Sequence, residues 1–303
     1  METALAGKRI TILGGDARQM AVAKALAAAG ALVRIYAVPS FSGPAEGVEV
    51  ASTLREALIG AEIVVLPIGG VSAEGKVAGA EGAAFRLDEE FWSLLVPSCL
   101  LVVGRLPDDL RRKAIGEGHR VLEYAEDDEI AILNSIPTAE GALQLAMEAL
   151  PITIHGACVF VLGFGRVGMT VARLFRAVGA ETWVVADRPA LLARAYEMGC
   201  RPLEFSRLAE EIHRADLMVN TIPAPVLSAG LLGLTKPEVY IIDLASAPGG
   251  VDFQAARDLG RKTTHALGLP GKVAPVTAGR ILARTLSAMI ARKLAEEERQ
   301  DGA

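Results

Sequence analysis

The sequence predicts an α/β protein with two doubly wound parallel sheets, and three observations support this fold class. Short apolar runs alternate with helix-like segments along the chain, as in parallel sheets flanked by helices. The chain has 303 residues, 51% of them hydrophobic, which is enough for two domains with a buried core each. A glycine-rich turn follows an apolar run near the start of the second half.

Composition and charge argue against several classes of protein. The net charge is −5 and there is no basic tract, so we do not expect nucleic acid as a partner. No apolar run approaches the roughly 20 residues of a membrane span, and the N-terminal residues lack a signal-peptide core, so we expect no membrane partner and a cytoplasmic location. The 3 cysteines and 4 histidines are dispersed, which predicts reduced cysteines and no metal site.

In the first half of the chain, the pattern predicts a domain over residues 1–136. Strands are expected at residues 9–13, 32–36, 63–66, 100–103, 121–123 and 130–133, and helices at 18–29, 54–58 and 88–95. The first turn, GGDARQ, contains glycines but lacks the GxGxxG spacing. We therefore expect a Rossmann-like or flavodoxin-like domain that holds substrate and not a dinucleotide.

A connecting helix is predicted at residues 137–150, entered by Pro137 and capped by Thr138. A cofactor domain follows over residues 151–274, and a C-terminal helix over 275–303, capped by Thr277, is expected to return to the first domain. This arrangement predicts a cleft between the two domains. The second half has these further elements: helices near 191–198 and 208–213, and strands at 217–220, 239–243 and 264–267.

Residues 157–187 carry the most specific motif of the chain. An apolar strand leads into GFGRVG, an apolar helix follows, and an acid, Asp187, ends the next strand. In such a turn Gly163 permits the sharp bend, Gly165 lets the backbone approach a pyrophosphate, and Gly168 lets the helix pack on the sheet. This context predicts a Rossmann dinucleotide site. The alternative is a fold that keeps its turn glycines for packing and binds no ligand.

Seven motifs over both halves resemble one family, the dipicolinate synthase A subunit of spore-forming bacteria. They are GGDAR (14–18), NSIPTAEG (134–141), HG (155–156), GFGRVGM (163–169), NTIP (220–223), DLASAPGGVDF (243–253) and GLPGKVAPVTAG (268–279). The resemblance implies the two-domain architecture of D-2-hydroxyacid dehydrogenases. It also implies oxidation of a dihydrodipicolinate from the lysine/diaminopimelate pathway to dipicolinate (pyridine-2,6-dicarboxylate), with hydride transfer to NAD(P).

The same resemblance implies a biological setting and partners. The reaction would take place in the mother cell of a sporulating bacterium, and a flavoprotein-like B subunit would be the partner. We also expect a homo- or hetero-oligomer.

The substrate that the resemblance implies has two carboxylates, so the candidate residues are those that could donate hydrogen bonds to them. Arg18 is the leading carboxylate ligand, and the alternative is a structural salt bridge to Asp16. Ser135 and Thr138 would offer hydroxyl groups and free amides at a helix start, and ordinary helix capping is the alternative. The predicted catalytic residues are Arg18, Ser135, Thr138 and Ser246, and the predicted substrate-binding residues are Asp16, Arg18, Ser135, Thr138, Pro270 and Thr277.

Candidate cofactor residues follow the strands of the second sheet at their carboxyl ends. They are Gly163, Phe164, Gly165, Arg166, Val167, Gly168, Asp187, Arg188, Asn220, Thr221, Pro223, Asp243 and Ala245. Arg166 as a solvated surface residue and Asp243 as a buried structural residue are the open alternatives. Asp187 favours NAD, because its charge repels the extra phosphate of NADP, whereas Arg188 could bind that phosphate. The resemblance implies an alanine in place of Asp187 and NADP use.

Two alternative functions stay open. The chain could be a dinucleotide-binding sensor or assembly subunit without chemistry of its own. It could also be a D-2-hydroxyacid dehydrogenase-like enzyme, which predicts a catalytic histidine after the last strand of the cofactor domain. GLGLPGKVAP contains no histidine, and His265 just before it is the only substitute. His155 precedes the fingerprint strand and is expected to be structural.

Overall fold

The chain forms two compact α/β units in the computed structural model, which describes residues 2–39, 46–80 and 84–301. The first unit contains Met1–Ala131 and Ala274–Ala303, and the second contains Ile132–Val273. Each has a six-stranded sheet among its described residues. The predicted fold class is confirmed. No described helix is both long and apolar enough to span a membrane.

The first sheet is wholly parallel and has the order β3-β2-β1-β4-β7-β8. The strands of this unit are β1 (Arg9–Leu13), β2 (Leu32–Tyr36), β3 (Val48–Val50), β4 (Ile63–Val65), β5 (Lys76–Val77), β6 (Phe85–Arg86), β7 (Leu100–Val103) and β8 (Arg120–Glu123). β5 and β6 form a separate antiparallel pair. Strands β4 and β7 are apolar and fully buried, as expected of strands covered on both faces.

Helices cover both faces of the first sheet. They are α1 (Glu2–Leu5), α2 (Arg18–Ala28), α3 (Leu54–Leu58), α4 (Glu89–Leu94) and α5 (Asp108–Gly116). Side-chain caps begin two of them, because Thr53 accepts a hydrogen bond from Glu56 N (3.1 Å) and Asp88 accepts one from Phe91 N (3.1 Å).

The second sheet repeats this strand order as β11-β10-β9-β12-β13-β14, again all parallel. Its strands are β9 (Cys158–Leu162), β10 (Glu181–Val185), β11 (Arg201–Leu203), β12 (Leu217–Asn220), β13 (Tyr240–Asp243) and β14 (Lys262–His265). The helices are α6 (Asp128–Ala149), α7 (Arg166–Ala177), α8 (Pro189–Glu197), α9 (Leu208–Glu211), α10 (Ala229–Gly233), α11 (Phe253–Asp258) and α12 (Leu269–Val273). Short 3-10 turns flank α9.

The last helix, α13 (Pro275–Asp301), belongs to the first unit. Its apolar residues Leu282, Leu286 and Ile290 are buried in the same core cluster as residues of α2. Gly279 permits this approach, because a Cβ there would lie 2.9 Å from the Cβ of Ala21.

In both sheets the strand order reverses at one point, and this point defines where ligands bind in such folds. The reversal lies between β1 and β4 in the first sheet and between β9 and β12 in the second. Open parallel sheets bind ligands outside the carboxyl ends of the strands at this switch point. The turns after β1 and β9 are therefore the equivalent positions of the two units.

The structure differs from the sequence-based prediction around Pro137. The predicted strand at residues 130–133 is helical, and α6 begins at Asp128 instead of Pro137. Acidic residues occupy the first turn of α6, and Asp127 accepts a hydrogen bond from Ile130 N (3.1 Å), so the helix already starts there. Pro137 lies inside the helix. The predicted cap Thr277 is also wrong, because α13 begins at Pro275, a favoured residue for the first helical position.

Candidate functional site

The glycine turn after β9 has the geometry of a phosphate-binding turn. Gly163 has φ +90°, and a Cβ there would lie 2.6 Å from Thr221 Oγ1. A Cβ on Gly168 would lie 2.2 Å from the carbonyl oxygen of Gly163, so this helix residue must be glycine for α7 to pack. Gly165 differs from both, because a Cβ there would meet no described atom within 4 Å apart from those of its chain neighbours. Two glycines therefore serve the bend and the packing, and the third leaves open space.

Helix α7 begins at this open position. Gly165 precedes its first residue with extended backbone, and no side chain in the described part of the chain caps the helix. Met169 N makes the first main-chain bond of the helix, to Gly165 O (3.0 Å). The N–H groups of Val167 and Gly168 precede it and have no intrahelical acceptor. Such N–H groups, together with the helix dipole, form an anion site. Phe164 is 2% exposed and packs in the core, so it could contact a ligand only through its backbone.

Asp187 and Arg188 follow β10 beside the glycine turn. The two segments are joined because Gly163 N donates to Val185 O (2.9 Å). Both Asp187 and Arg188 are exposed, and Arg188 precedes the first residue of α8. An exposed carboxylate at this position can accept hydrogen bonds from a ribose.

Asp243 is a fully buried carboxylate whose oxygens accept hydrogen bonds from the protein. Oδ1 accepts from Asn220 Nδ2 (2.8 Å) and Ala245 N (3.0 Å), and Oδ2 accepts from Gly250 N (2.7 Å). These bonds hold the loop after β13 in place. The contacts of Asp243 are thus those of a buried structural residue, the alternative that the sequence left open. Asn220 is equally buried, and its Oδ1 accepts from Ile222 N (3.1 Å).

Several candidates around this loop differ in their accessibility. Thr221 donates to Leu162 O (2.9 Å) and borders the glycine turn. Pro223 and Ser246 are exposed, whereas Ala245 is buried. His265 contacts the loop after β13, because its Nε2 lies 2.9 Å from Ala245 O. Its ring stacks on that of Phe253, with 5.3 Å between the ring centroids.

His155 lies at the other end of the sheet, before β9. A Cβ on Gly179 would lie 2.2 Å from His155 Cδ2, so the ring packs directly over that glycine. This placement agrees with the structural role that we expected for His155. Among the described residues, no group of three or more His, Cys, Asp or Glu side chains could hold a metal ion.

The equivalent turn of the first unit, after β1, is covered by another part of its own unit. Gly15 N donates to Ala78 O (2.7 Å), and a Cβ on Gly14 would lie 2.5 Å from the same oxygen. Gly14 N donates to Tyr36 O (2.9 Å). This turn therefore directs its glycine amides at main-chain carbonyls.

Arg18 forms a two-pronged ion pair with Asp16 at the start of α2. Arg18 Nε lies 2.8 Å from Oδ1 and Nη2 lies 2.7 Å from Oδ2, and Arg18 is only 8% exposed. Burial alone would raise the pKa of Asp16, but hydrogen bonds and charge from Arg18 outweigh it and lower that pKa. A guanidinium has five N–H donors, so this pair leaves Arg18 with donors for another acceptor.

Ser135 and Thr138 lie inside α6 and not at its start. Ser135 Oγ lies 2.6 Å from Ile132 O and 2.6 Å from Thr170 Oγ1, and Thr138 Oγ1 donates to Asn134 O (2.7 Å). The expectation of free helix-start amides at these residues is wrong, because the preceding turns of α6 accept their N–H groups. Pro270 lies in α12 of the second unit, and Thr277 is exposed on α13 of the first.

Two buried amide side chains were missed by the sequence reasoning. Gln19 is 2% exposed and its Nε2 has no hydrogen-bond partner among the described residues. Asn134 is 8% exposed, and neither Nδ2 nor Oδ1 has a partner there. They are the sequence neighbours of Arg18 and Ser135, but only the structure reveals that they are buried and unsatisfied.

Comparison with known proteins assigns the two units separately. Residues 9–125 match the family model for the N-terminal domain of the dipicolinate synthase A subunit. Residues 138–255 match the model described as D-isomer specific 2-hydroxyacid dehydrogenase, NAD binding domain.

Relatives that align over nearly the whole chain extend this assignment. The dipicolinate synthase A subunit from Bacillus subtilis is 37% identical over 294 residues, covering 97% of this chain and 99% of the relative. The crystal structure of the A subunit from Bacillus halodurans has a TM-score of 0.86 at 39% identity, over 95% of this chain and 99% of that one. The crystal structure of the Bacillus subtilis protein has a TM-score of 0.84 at 36% identity, over 96% and 98%. The chain therefore belongs to the family of dipicolinate synthase A subunits, and its second unit is an NAD-binding domain of the 2-hydroxyacid dehydrogenase type.

Proposed function

We propose that this protein is a nicotinamide-dependent oxidoreductase that converts a dihydrodipicolinate, derived from the lysine/diaminopimelate pathway, into dipicolinate. The observation that carries the proposal is the open glycine turn at the switch point of the second sheet, in a chain of this family. Gly165 leaves room for a pyrophosphate, and the start of α7 offers backbone donors to it.

The proposed reaction requires the protein mainly to position the substrate and the nicotinamide cofactor. A dihydropyridine dicarboxylate becomes aromatic when a ring C–H bond breaks with hydride transfer to the nicotinamide and a ring proton leaves, so two electrons move to the cofactor. Aromatisation favours the reaction. The residues of the chain need to hold two carboxylates and exclude competing water. We propose no dedicated general base.

In the first unit, the start of α2 offers a binding place for a substrate carboxylate. Arg18 retains guanidinium donors beyond its pair with Asp16, and Nε2 of its sequence neighbour Gln19 is buried without a hydrogen-bond partner among the described residues. A Cβ on Gly279 of α13 would lie 3.4 Å from Arg18 Cα, and Thr277 is exposed two residues before Gly279, on another face of the same helix. We propose Arg18, Asp16 and Thr277 as substrate residues of this unit.

The other hydroxyl candidates are part of the same proposal. Ser246 is exposed after β13 and stays a proposed catalytic residue. Ser135 and Thr138 use their hydroxyl hydrogens within the protein, so they could only accept a hydrogen bond from a ligand without rearrangement. Pro270 stays a proposed pocket residue of the second unit.

For domain roles, we propose that residues 1–136 with helix 275–303 bind the substrate. Residues 151–274 bind the dinucleotide, and residues 137–150 connect the two. We further propose that the partner is a flavoprotein-like B subunit, that the protein assembles as a homo- or hetero-oligomer, and that it acts in the mother-cell cytoplasm during sporulation. Family membership supports these points.

The test is absorbance at the nicotinamide band while the purified chain, with and without its B subunit, receives dihydrodipicolinate generated in place and either NAD or NADP. We expect reduced cofactor and dipicolinate to appear in equal amounts. Tight cofactor binding without turnover under any combination would instead favour a sensor or assembly role.

Two variants test whether Arg18 binds the substrate. Arg18→Ala should abolish turnover and leave cofactor affinity unchanged, because Arg18 belongs to the first unit. Lys24→Ala, which removes an exposed cation from the same helix, is the matched control and should retain activity. Equal activity of the two variants would remove Arg18 from the proposal.

A further inference from the structure

Asn134 on α6 has a buried side-chain amide without hydrogen bonds. The residue is 8% exposed, and both Nδ2 and Oδ1 lack partners among the residues that the structure describes. Burial without partners is unfavourable, because the amide has lost its hydrogen bonds to water. Such a group in a native protein requires an explanation, and a ligand that completes its bonds provides one.

The neighbours of Asn134 place it near the carboxyl end of the second sheet. The next residue, Ser135, contacts Thr170 in the second turn of α7 at 2.6 Å. Gly141 lies two helical turns further along nearly the same face of α6 as Asn134. A Cβ on Gly141 would lie 3.2 Å from the side chain of Leu269, at the start of α12. Asn134 therefore lies at the level of the start of α7, on the side of α6 that faces α12.

This side corresponds to the nicotinamide half of a dinucleotide site. A Rossmann sheet binds one nucleotide on each side of its switch point, with the acid after the second strand on the adenosine ribose. That acid is Asp187, after β10. The nicotinamide half then falls on the side of β12, β13 and β14, and α12 follows β14.

The unused groups of Asn134 match those of a nicotinamide ring. The ring carries a carboxamide with an N–H donor and a carbonyl acceptor, and Asn134 has one of each available. Two planar carboxamides can form two N–H···O bonds with each other. We infer that the side-chain amide of Asn134 hydrogen bonds to the carboxamide of the nicotinamide ring and orients that ring. This inference rests on the proposed cofactor.

The test compares ligands that differ only at the nicotinamide end. Dissociation constants of the wild type and Asn134→Ala are measured by calorimetry for NAD, for ADP-ribose, which lacks the ring, and for the 3-acetylpyridine analogue of NAD, which lacks the amide nitrogen. NADP and 2′-phospho-ADP-ribose, which lacks the nicotinamide ring of NADP, are measured in parallel. Asn134→Ala should bind NAD about 10- to 100-fold more weakly, the effect of losing two hydrogen bonds. Its affinity for ADP-ribose should be unchanged.

The wild type alone provides a second measurement that does not depend on a variant folding. The wild type should bind the acetylpyridine analogue more weakly than NAD. Where Asn134→Ala folds, this variant should bind the two ligands with equal affinity. Gln144→Ala is the matched control, because it removes an exposed amide from the same helix, and it should bind all ligands normally.

The outcomes separate this inference from the proposed function. Unchanged NAD affinity in Asn134→Ala, or an equal loss for NAD and ADP-ribose, would overturn the assignment of Asn134 and leave the cofactor proposal intact. A higher KM for the dicarboxylate with normal NAD binding would also overturn it. A wild type that binds no dinucleotide and no ADP-ribose would overturn the proposed function and this inference together.

Discussion

The turns after β1 and β9 occupy equivalent positions in two sheets of the same strand order, yet their surroundings differ. In the first, Gly15 N donates to Ala78 O and Gly14 packs on that oxygen. In the second, Gly165 faces open space at the start of α7. Strand order thus creates the place for a ligand in both units, but the turn and the segment above it decide whether a pyrophosphate can enter.

The charged residues of the two turns also differ. The first turn carries Asp16 in an ion pair with Arg18, so their charges largely cancel. The second carries the cation Arg166 at the first position of α7. The steric difference is therefore the one that assigns the dinucleotide to the second unit. Substitutions in either turn test these differences one at a time.

The largest effect is expected for Gly168→Val in the second turn. The new Cβ would overlap the carbonyl oxygen of Gly163 at 2.2 Å, and backbone on both sides must move. We expect the second unit to lose about 3 kcal/mol of unfolding free energy, as for severe overpacking. Trp183 lies in this unit and Trp92 in the other, so urea unfolding in a Trp92→Phe background reports the second unit alone. An unchanged midpoint would contradict the packing role.

Gly165→Asp should abolish cofactor binding without destabilising the fold. A Cβ at this position would meet no described atom beyond its chain neighbours within 4 Å, and Asp is a favoured residue before the first turn of a helix. Its bulk and charge would oppose the pyrophosphate, so we expect the NAD dissociation constant to rise about 100-fold, or about 2.7 kcal/mol. Calorimetry and thermal unfolding measure the two effects.

Gly15→Ala tests the first turn. Gly15 has φ +87°, and its Cβ would lie 2.8 Å from Gln19 Cγ, so the change should destabilise the first unit by about 1–3 kcal/mol. NAD affinity should stay the same. Loss of NAD binding in Gly15→Ala would show that the first turn, and not only the second, supports the cofactor.

Asp16→Asn tests the charge of the first turn. We expect a loss of about 2 kcal/mol at neutral pH, between the values for exposed and buried pairs, because Asp16 is half exposed and Arg18 is buried. Its pKa is lowered in the folded state, so its contribution is complete above the ordinary Asp pKa of about 4 and is lost as pH falls through the folded-state value. Urea unfolding followed by Trp92 in a Trp183→Phe background should therefore show the proteins with and without Asp16→Asn converging in stability at acidic pH. A difference that grows on acidification would contradict the ion pair.

The smallest effect is expected for Asp187→Ala at the edge of the second site. Removing this exposed carboxylate removes repulsion of the 2′-phosphate, so NADP should gain about tenfold over NAD, or about 1.4 kcal/mol. Specificity constants with both cofactors measure the change, and unfolding should be unaffected. An unchanged NADP-to-NAD ratio would remove Asp187 from cofactor selection.

Most of the second sheet could be predicted from local patterns. Strand β12 has the bounds expected from its apolar run, and the glycine motif identified the turn and helix α7, because such spacing acts over neighbouring residues. The prediction failed at Pro137. A proline was taken as a helix start, whereas the capped acidic turn at Asp127 and Asp128 begins the helix earlier and tertiary packing tolerates the proline.

The roles of polar residues were harder to predict than the strands. Asp243 and Asn220 were identified as residues at the ligand edge, but their hydrogen bonds serve the loop after β13. Ser135 was placed at a helix start and lies within the helix. The sequence could not show that Gln19 and Asn134 are buried without hydrogen bonds, because this depends on the surroundings of an amide and not on its residue type.

The two α/β units, the position of the dinucleotide turn and the family could all be inferred from the amino-acid sequence. Apolar runs and glycine spacing encode these features locally, within one strand, turn and helix. Which turn stays open depends on tertiary packing, because the carbonyl of Ala78 that covers Gly15 comes from a distant segment of the chain. The burial of Asn134 is likewise a tertiary property, because the exposure of a side chain depends on what packs around it and not on its residue type.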